Sequence, residues 1–212
     1  MTKNLSTHND LLGAKVVEAL QKNDFTAEYV KTAGEARERL LAMIPDGAAV
    51  GFGGSITISG LDIQEELAGR NCKIYDHIKA EKPEKKARMR INQLTSDIFL
   101  CSSNAITLDG KLYNVDGNGN RVAAMIFGPK QVIVVAGINK VVKDLEAADA
   151  RVRVIAAPTN ALRVNGDAPC TKTGYCTDCS SPSRICKAAV TLHKKPTSHG
   201  VHVILVGETL GY

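Results

Sequence analysis

Four cysteines, Cys170, Cys176, Cys179 and Cys186, fall within seventeen residues in the spacing Cys-x5-Cys-x2-Cys-x6-Cys. A Cys-x-x-Cys loop can turn two thiolates onto one metal, and the flanking pair supplies the other two ligands of a tetrahedral sulfur site. Four thiolates suit an iron–sulfur cluster or a structural zinc. The Ser-Pro-Ser-Arg-Ile run before Cys186 leans toward the cluster, because its hydroxyls can donate to cluster sulfurs. Unligated or redox-active thiols are the other readings. Dithiol chemistry, however, usually sets Cys-x-x-Cys at a helix start after a strand, whereas Pro169, Gly174 and Pro182 keep 165–186 in loops. His193, His199 and His202 follow closely and are either alternative ligands or surface residues. Cys72 and Cys101 sit alone in apolar stretches and read as small buried hydrophobes.

A second chemical segment is Gly51-Phe52-Gly53-Gly54-Ser55-Ile56-Thr57, placed after a strand-like run and before a helical one. Glycines let a backbone turn sharply and bring its N–H groups near an anion, and Ser55 and Thr57 would add hydroxyls. The pattern lacks the Lys-Ser/Thr of a phosphate loop and the spacing of a dinucleotide fingerprint. It therefore reads either as a ligand loop or as a tight turn. The third segment joins Ser103-Asn104-Ala105-Ile106-Thr107 to the polar string Asn114 to Arg121. Arg121 could pair with a carboxylate or phosphate, and Asp116 could act as a base or orient one. Asn139-Lys140 follows the strongest strand and would reach the same edge. Asp116 and Lys140 are the catalytic candidates.

The elements that must position these residues alternate. Helical spacing over 9–22, with Asn9 or Asp10 as cap, precedes a strand at Phe25 to Val30. Thr32 and Glu35 make a capping box, and Pro45-Asp46-Gly47 should end that helix. Strands are expected at Ala48 to Phe52, Lys73 to Tyr75, Ile98 to Cys101, Val132 to Ala136 and Val201 to Val206. Helices are expected at Ile58 to Leu67, Pro83 to Gln93 and Val122 to Phe127. Asp109-Gly110 between alternating runs signals a hairpin within Ala105 to Val115. Val141 to Leu162 reads as helix, although Val152 to Ile155 also fits a strand and Pro158 would kink it. Strands separated by helices imply a mainly parallel sheet covered on both faces. One α/β domain over 1–212, with a cysteine-rich loop at 165–190, is the simplest organisation.

The 212 residues are 44% hydrophobic and 23% charged, a soluble globular balance rather than a disordered one. With five Tyr, four Phe and no Trp, base-stacking platforms for single-stranded nucleic acid are excluded. The net charge of +5 includes one dense basic stretch, Lys79 to Arg90. Glu81 and Glu84 interrupt it, so it reads as a solvated helix face. The longest apolar run, Val132 to Ile138, is too short for a membrane span. The N-terminal MTKNLSTHND lacks a secretory signal pattern, which points to the cytoplasm and to reduced thiols.

Together GFGGSITISGL, SSNAITLDGKLYNVDGNGNRVAAMIFGPKQVIVVAGINK, and the tail CTKTGYCTDCSSPSRIC with VHVILVGETLGY resemble the LUD (lactate-utilisation) domain family. This is the group that includes lactate utilisation protein C, and the match is to a cysteine-tailed subgroup. The resemblance implies a three-layer α/β/α sandwich like that of ribose-phosphate isomerase, glucosamine-phosphate deaminase and coenzyme A transferase. It implies a ligand site at Gly53, Gly54, Ser55, Asn104, Asp116, Asn120, Arg121 and Lys140, to which the residue reading adds Thr57. The wider superfamily binds phosphorylated sugars, organic acids or coenzyme A thioesters there. The expected function is binding of a small carboxylate or phosphorylated metabolite in support of iron–sulfur-dependent lactate oxidation, with iron–sulfur oxidoreductase subunits as partners. The alternatives are an iron–sulfur electron-transfer or redox-sensing module and a zinc-stabilised structural subunit.

Overall fold

Along Gln131–Gly137 the side chains divide between two cores: Ile133 and Val135 enter one, Val132, Val134 and Ala136 the other. A strand apolar on both faces belongs in the middle of a covered sheet. In the computed structural model, which describes residues 2–164 and 166–212, it is a central strand of a six-stranded sheet. Asn165, the first residue of the cysteine-rich segment, and Met1 lie outside the described residues. The order is β1 (Thr26–Val30), β10 (Gly200–Val206), β7 (Gln131–Gly137), β4 (Ile98–Cys101), β2 (Ala49–Phe52), β3 (Lys73–Asp76), and every pairing is parallel. All six carboxyl ends therefore open on one edge.

Helices α2 (Ala33–Ala42), α3 (Ile56–Ser59) and α4 (Gln64–Gly69) cover one face, burying Leu40, Ile58 and Leu67. The opposite face carries α1 (Lys3–Lys22), α6 (Asn120–Ile126) and a second, four-stranded sheet. That sheet runs β8 (Val141–Val142), β5 (Ala105–Thr107), β6 (Leu112–Asp116), β9 (Ala188–Leu192). Helix α5 (Pro83–Leu94) packs along β3 and β2 and against α6. The α/β architecture with a covered parallel sheet is the expected one. The small sheet is an addition, replacing helix over part of one face.

Several boundaries differ from the sequence expectation, each for a local reason. Helix α1 starts at Lys3 with Thr2 as cap, and Asn9 lies inside it, its Nδ2 donating to Gly207 O at 3.0 Å. Residues 3–8 are too polar to show periodicity. The expected helix Ile58 to Leu67 is two short ones, parted by Gly60 and by Asp62 at φ 47°. Over Val141 to Leu162 the chain forms β8, α7 (Leu145–Arg151), a π-helical turn at Val152–Ala156 and α8 (Ala157–Arg163). Pro158 stands in the first turn of α8, where its missing N–H is tolerated. The cysteine-rich segment contains one helical turn, α9 (Cys170–Thr173), and the strand β9 begins at Ala188.

The expected hairpin is present, β5 pairing antiparallel with β6 around Asp109-Gly110. Its tip is docked: Asn23 Nδ2 donates to the carbonyls of Asp109 (2.8 Å) and Gly110 (2.9 Å) at the end of α1. Gly110 has φ 79°, and a Cβ there would stand 2.5 Å from the Ala19 carbonyl. Gly110→Ala should therefore destabilise by more than about 1 kcal/mol in urea unfolding. Gly69→Ala, in open space at the end of α4 with an ordinary φ, should be neutral or stabilising.

Candidate functional site

Parallel strands deliver their following loops to one edge, and the loops after β2, β3, β4 and β7 line a single cleft of about 560 Å³. Gly53, Gly54, Ser55, Thr57, Asn104, Asp116, Asn120, Arg121 and Lys140 all stand on its wall. Gly53 is pressed against the sheet, where a Cβ would meet the Phe99 ring at 2.9 Å. Gly54 takes φ 70° beside the His77 ring. Ser55 caps the short α3, its Oγ accepting from Ile58 N at 3.3 Å.

Arg121 does not reach into the cleft as a free cation. Its Nε and Nη2 donate to Asp116 Oδ1 at 3.0 and 2.7 Å, and Nη2 also reaches Asn104 Oδ1 at 2.8 Å. Nη1 donates to Ser102 O at 2.9 Å and to Asn114 Oδ1. The second Asp116 oxygen accepts from Val122 N at 3.0 Å. Asn104 Oδ1 also accepts from Val115 N at 2.8 Å. The guanidinium fork thus ties the end of β4, the end of β6 and the start of α6 into one unit.

Lys140 ends a 3-10 turn, Ile138–Lys140, after the central strand β7, and is 3% exposed. Its Nζ donates to Thr57 Oγ1 and Ser102 Oγ, both at 2.9 Å. Among the described residues it forms no ion pair with a carboxylate. Burial pushes its pKa from 10.5 down to about 7, and the Arg151 and Arg121 guanidiniums add to the shift. Arg151 is buried behind the site, donating to Asn104 O (2.6 Å) and Asn139 O (3.1 Å).

The sequence reading missed four further cations or bases on this wall. Lys86 and Arg90, expected on a solvated helix face, line the cleft from α5, and Arg90 Nε is buried without a hydrogen-bond partner among the described residues. Arg163 lines it from α8, near Tyr212, whose hydroxyl accepts from Arg163 Nε at 2.8 Å. His77 follows β3 directly. Its Nδ1 lies 3.0 Å from Gln93 Nε2, and an amide nitrogen can only donate, so the neutral ring carries its proton on Nε2. Burial, then Arg90, lowers its pKa. The position of His77 and Ser102 at strand carboxyl ends was the signal that could have found them.

The four clustered cysteines are all half-buried and free. Asp178 N–H donates to Cys176 Sγ at 3.3 Å across the Cys-x-x-Cys turn. Arg184 braces the loop, reaching the carbonyls of Cys179 (2.7 Å) and Cys186 (2.8 Å). Burial raises the Cys170 pKa, and the charges of Cys179, Cys176 and Cys186 raise it further. As they stand, no three His, Cys, Asp or Glu side chains among the described residues converge closely enough for one ion. His199 and His202 are engaged elsewhere, with Met125 O and with Glu28. Cys186 and Ile185 reach the cleft wall, and the Ile185 carbonyl packs on Gly117, where a Cβ would stand 2.8 Å away. The cysteine loop and the cleft are therefore contiguous.

Fold and site define an α/β protein with a covered parallel sheet and a cation-rich cleft at its strand ends. The sequence pattern of the LUD domain matches residues 13–206, and the chain belongs to the LUD domain family. A DUF162-family protein from Deinococcus radiodurans superposes with a TM-score of 0.53 at 12% identity, covering 94% of this chain and 98% of that one. That likeness shows the shared fold. No curated protein matches the chain. No helix among the described residues is long and apolar enough to cross a membrane.

The buried lysine gives stability a pH dependence of definite sign. Unfolded, its amine keeps its proton up to about pH 10.5; folded, it releases it near 7. Unfolding therefore takes up a proton between these values, and this residue makes stability rise with pH at up to about 1.4 kcal/mol per pH unit. Lys140→Met should remove that slope and be the more stable protein at pH 6. Urea unfolding of both proteins from pH 6 to 9 measures it.

Proposed function

We propose that the cleft binds a small anionic metabolite, a carboxylate or a phosphate, and that the protein supports iron–sulfur-dependent oxidation of an organic acid. The observation that carries the anion is the charge of the wall. Lys86, Arg90, Arg121, Lys140 and Arg163 face it, and among the described residues on the wall the one acidic side chain is Asp116, which is already paired with Arg121. An anion would give Arg90 Nε the acceptor it lacks and would offset the cost of burying a protonated Lys140. The hydroxyl of Ser55 and the amide of Asn120 would orient it. Lactate enters through the resemblance to the lactate-utilisation proteins, and iron–sulfur oxidoreductase subunits are the partners that go with it.

Cys170, Cys176, Cys179 and Cys186 would hold the metal centre, iron–sulfur in the favoured reading and zinc in the other. A cluster would supply one-electron transfer beside the cleft; zinc would only pin the loop. Two features support a metal: four soft ligands on one braced loop, and an N–H already aimed at a cysteine sulfur.

Thermal unfolding with lactate, acyl phosphates and coenzyme A esters tests the anion site. At least one class should raise Tm, since ligand at a hundred times Kd adds about 2.7 kcal/mol, and Arg90→Met should blunt the rise. A panel without effect removes the reading. Metal analysis and an absorption spectrum of anaerobically purified protein test the cysteines. Iron with broad visible absorbance is expected; colourless protein with one zinc makes the loop structural, and metal-free protein overturns the metal centre.

A further inference from the structure

Resting on the anion-binding reading above, we propose that Lys140 is a carbonyl-reactive amine and that the cleft takes anionic aldehydes or ketones, forming an imine with them. The geometry begins with the hydrogen bonds of Nζ. Thr57 Oγ1 is within reach of Leu210 O (3.3 Å) and Ser102 Oγ within reach of Ser103 O (3.4 Å), carbonyls that can take the two hydroxyl protons. With both hydroxyl protons so placed, both oxygens must accept from Nζ, which they do at 2.9 Å. A neutral amine has two hydrogens and one lone pair. The two hydrogens are held by the hydroxyls, and the lone pair takes a remaining tetrahedral direction of an amine that lines the cleft.

A lysine used only to hold an anion would be a solvated or ion-paired ammonium. This one is buried, has no carboxylate within ion-pairing distance among the described residues, and stands with Arg121 and Arg151 behind it. Those surroundings disfavour its charged form and leave an appreciable fraction neutral near pH 7. The other cleft cations, Arg90, Arg163 and Lys86, are half-buried or exposed and supply the charge that draws an anion. Division of labour follows: the more exposed cations for the anionic group, the buried amine for the carbonyl.

The step balances without a redox partner. The Nζ lone pair bonds to the carbonyl carbon while the C=O π electrons move to oxygen. The two amine hydrogens leave with that oxygen as water, and the C=N bond remains. Only the amine and the carbonyl compound are consumed.

The full-length protein is incubated at pH 7.5 with pyruvate or with dihydroxyacetone phosphate, reduced with sodium borohydride and mapped by peptide mass spectrometry. The expected result is an adduct on the peptide bearing Lys140, heavier by the ligand less one oxygen atom, and blocked by prior addition of lactate. The preferred compound tells carboxylate from phosphate. Absence of any adduct, or adducts spread over surface lysines and unaffected by lactate, overturns the proposal. Thermal shifts with the same compounds separate the two failures: a shift without adduct leaves the anion site standing, and neither effect removes both. Lys140→Arg, which keeps the charge but cannot form an imine, should keep some thermal shift and lose the adduct.

Discussion

The site depends on one guanidinium. Arg121 offers five N–H donors from the first turn of α6, and their acceptors come from two separate stretches of chain: Ser102 and Asn104 after β4, and Asn114, Val115 and Asp116 at the end of β6. Its side chain is 11% exposed and that of Asp116 is 9% exposed, so neither charge can fall back on water. Removing one partner of such a buried pair leaves an uncompensated charge and costs about 3–5 kcal/mol. A lysine could not substitute, because a single ammonium cannot span acceptors lying in several directions. The fork fixes where Asn104, Ser102 and the β6–α6 turn stand, and Ser102 in turn holds Lys140. Arg121 is polar, conspicuous in sequence and central to the cleft, yet its hydrogen bonds face the protein.

Lys140 lives under the opposite condition. Among the described residues it has hydrogen bonds without a carboxylate countercharge, so its protonated form carries a desolvation cost. Native structures hold such tension where function requires it. The surrounding fold is built to absorb the cost: both sheet faces are closed by apolar cores, with Ile133, Val134, Ile204 and Leu205 fully buried in the two central strands. A rigid parallel sheet also keeps Thr57, Ser102 and Lys140 in register although they arise from three different strand ends.

Much of this was legible in the sequence, because the strands announce themselves by β-branched runs and the loops by glycine, Asn and Asp. The nine polar and glycine positions assigned to a ligand site do line one cleft, since the carboxyl-end rule for parallel sheets needs only the strand positions. What stayed hidden was long-range. Nothing local marks Ala188–Leu192 as a strand; it becomes one by pairing with Leu112–Asp116. The reading of Lys79 to Arg90 as a solvated helix face could not reveal that α5 turns Lys86 and Arg90 toward the strand ends. Nor could types and spacing show that Arg121 satisfies its own donors internally while Lys140 finds no carboxylate among the described residues.

The two chemical segments that looked separate along the chain share a wall. Gly117, in the turn that precedes Arg121, admits the Ile185 carbonyl where any side chain would collide, and Cys186 follows on the cleft surface. Lys187 N then donates to Asp116 O at 2.9 Å, so the cysteine loop is hydrogen-bonded to the backbone of the very residue that Arg121 holds. A metal centre ordering that loop would necessarily bear on the Asp116 turn, and through Arg121 on Ser102 and Lys140. The cysteine loop and the cleft are therefore joined through a few short contacts, and any effect of one on the other is reciprocal.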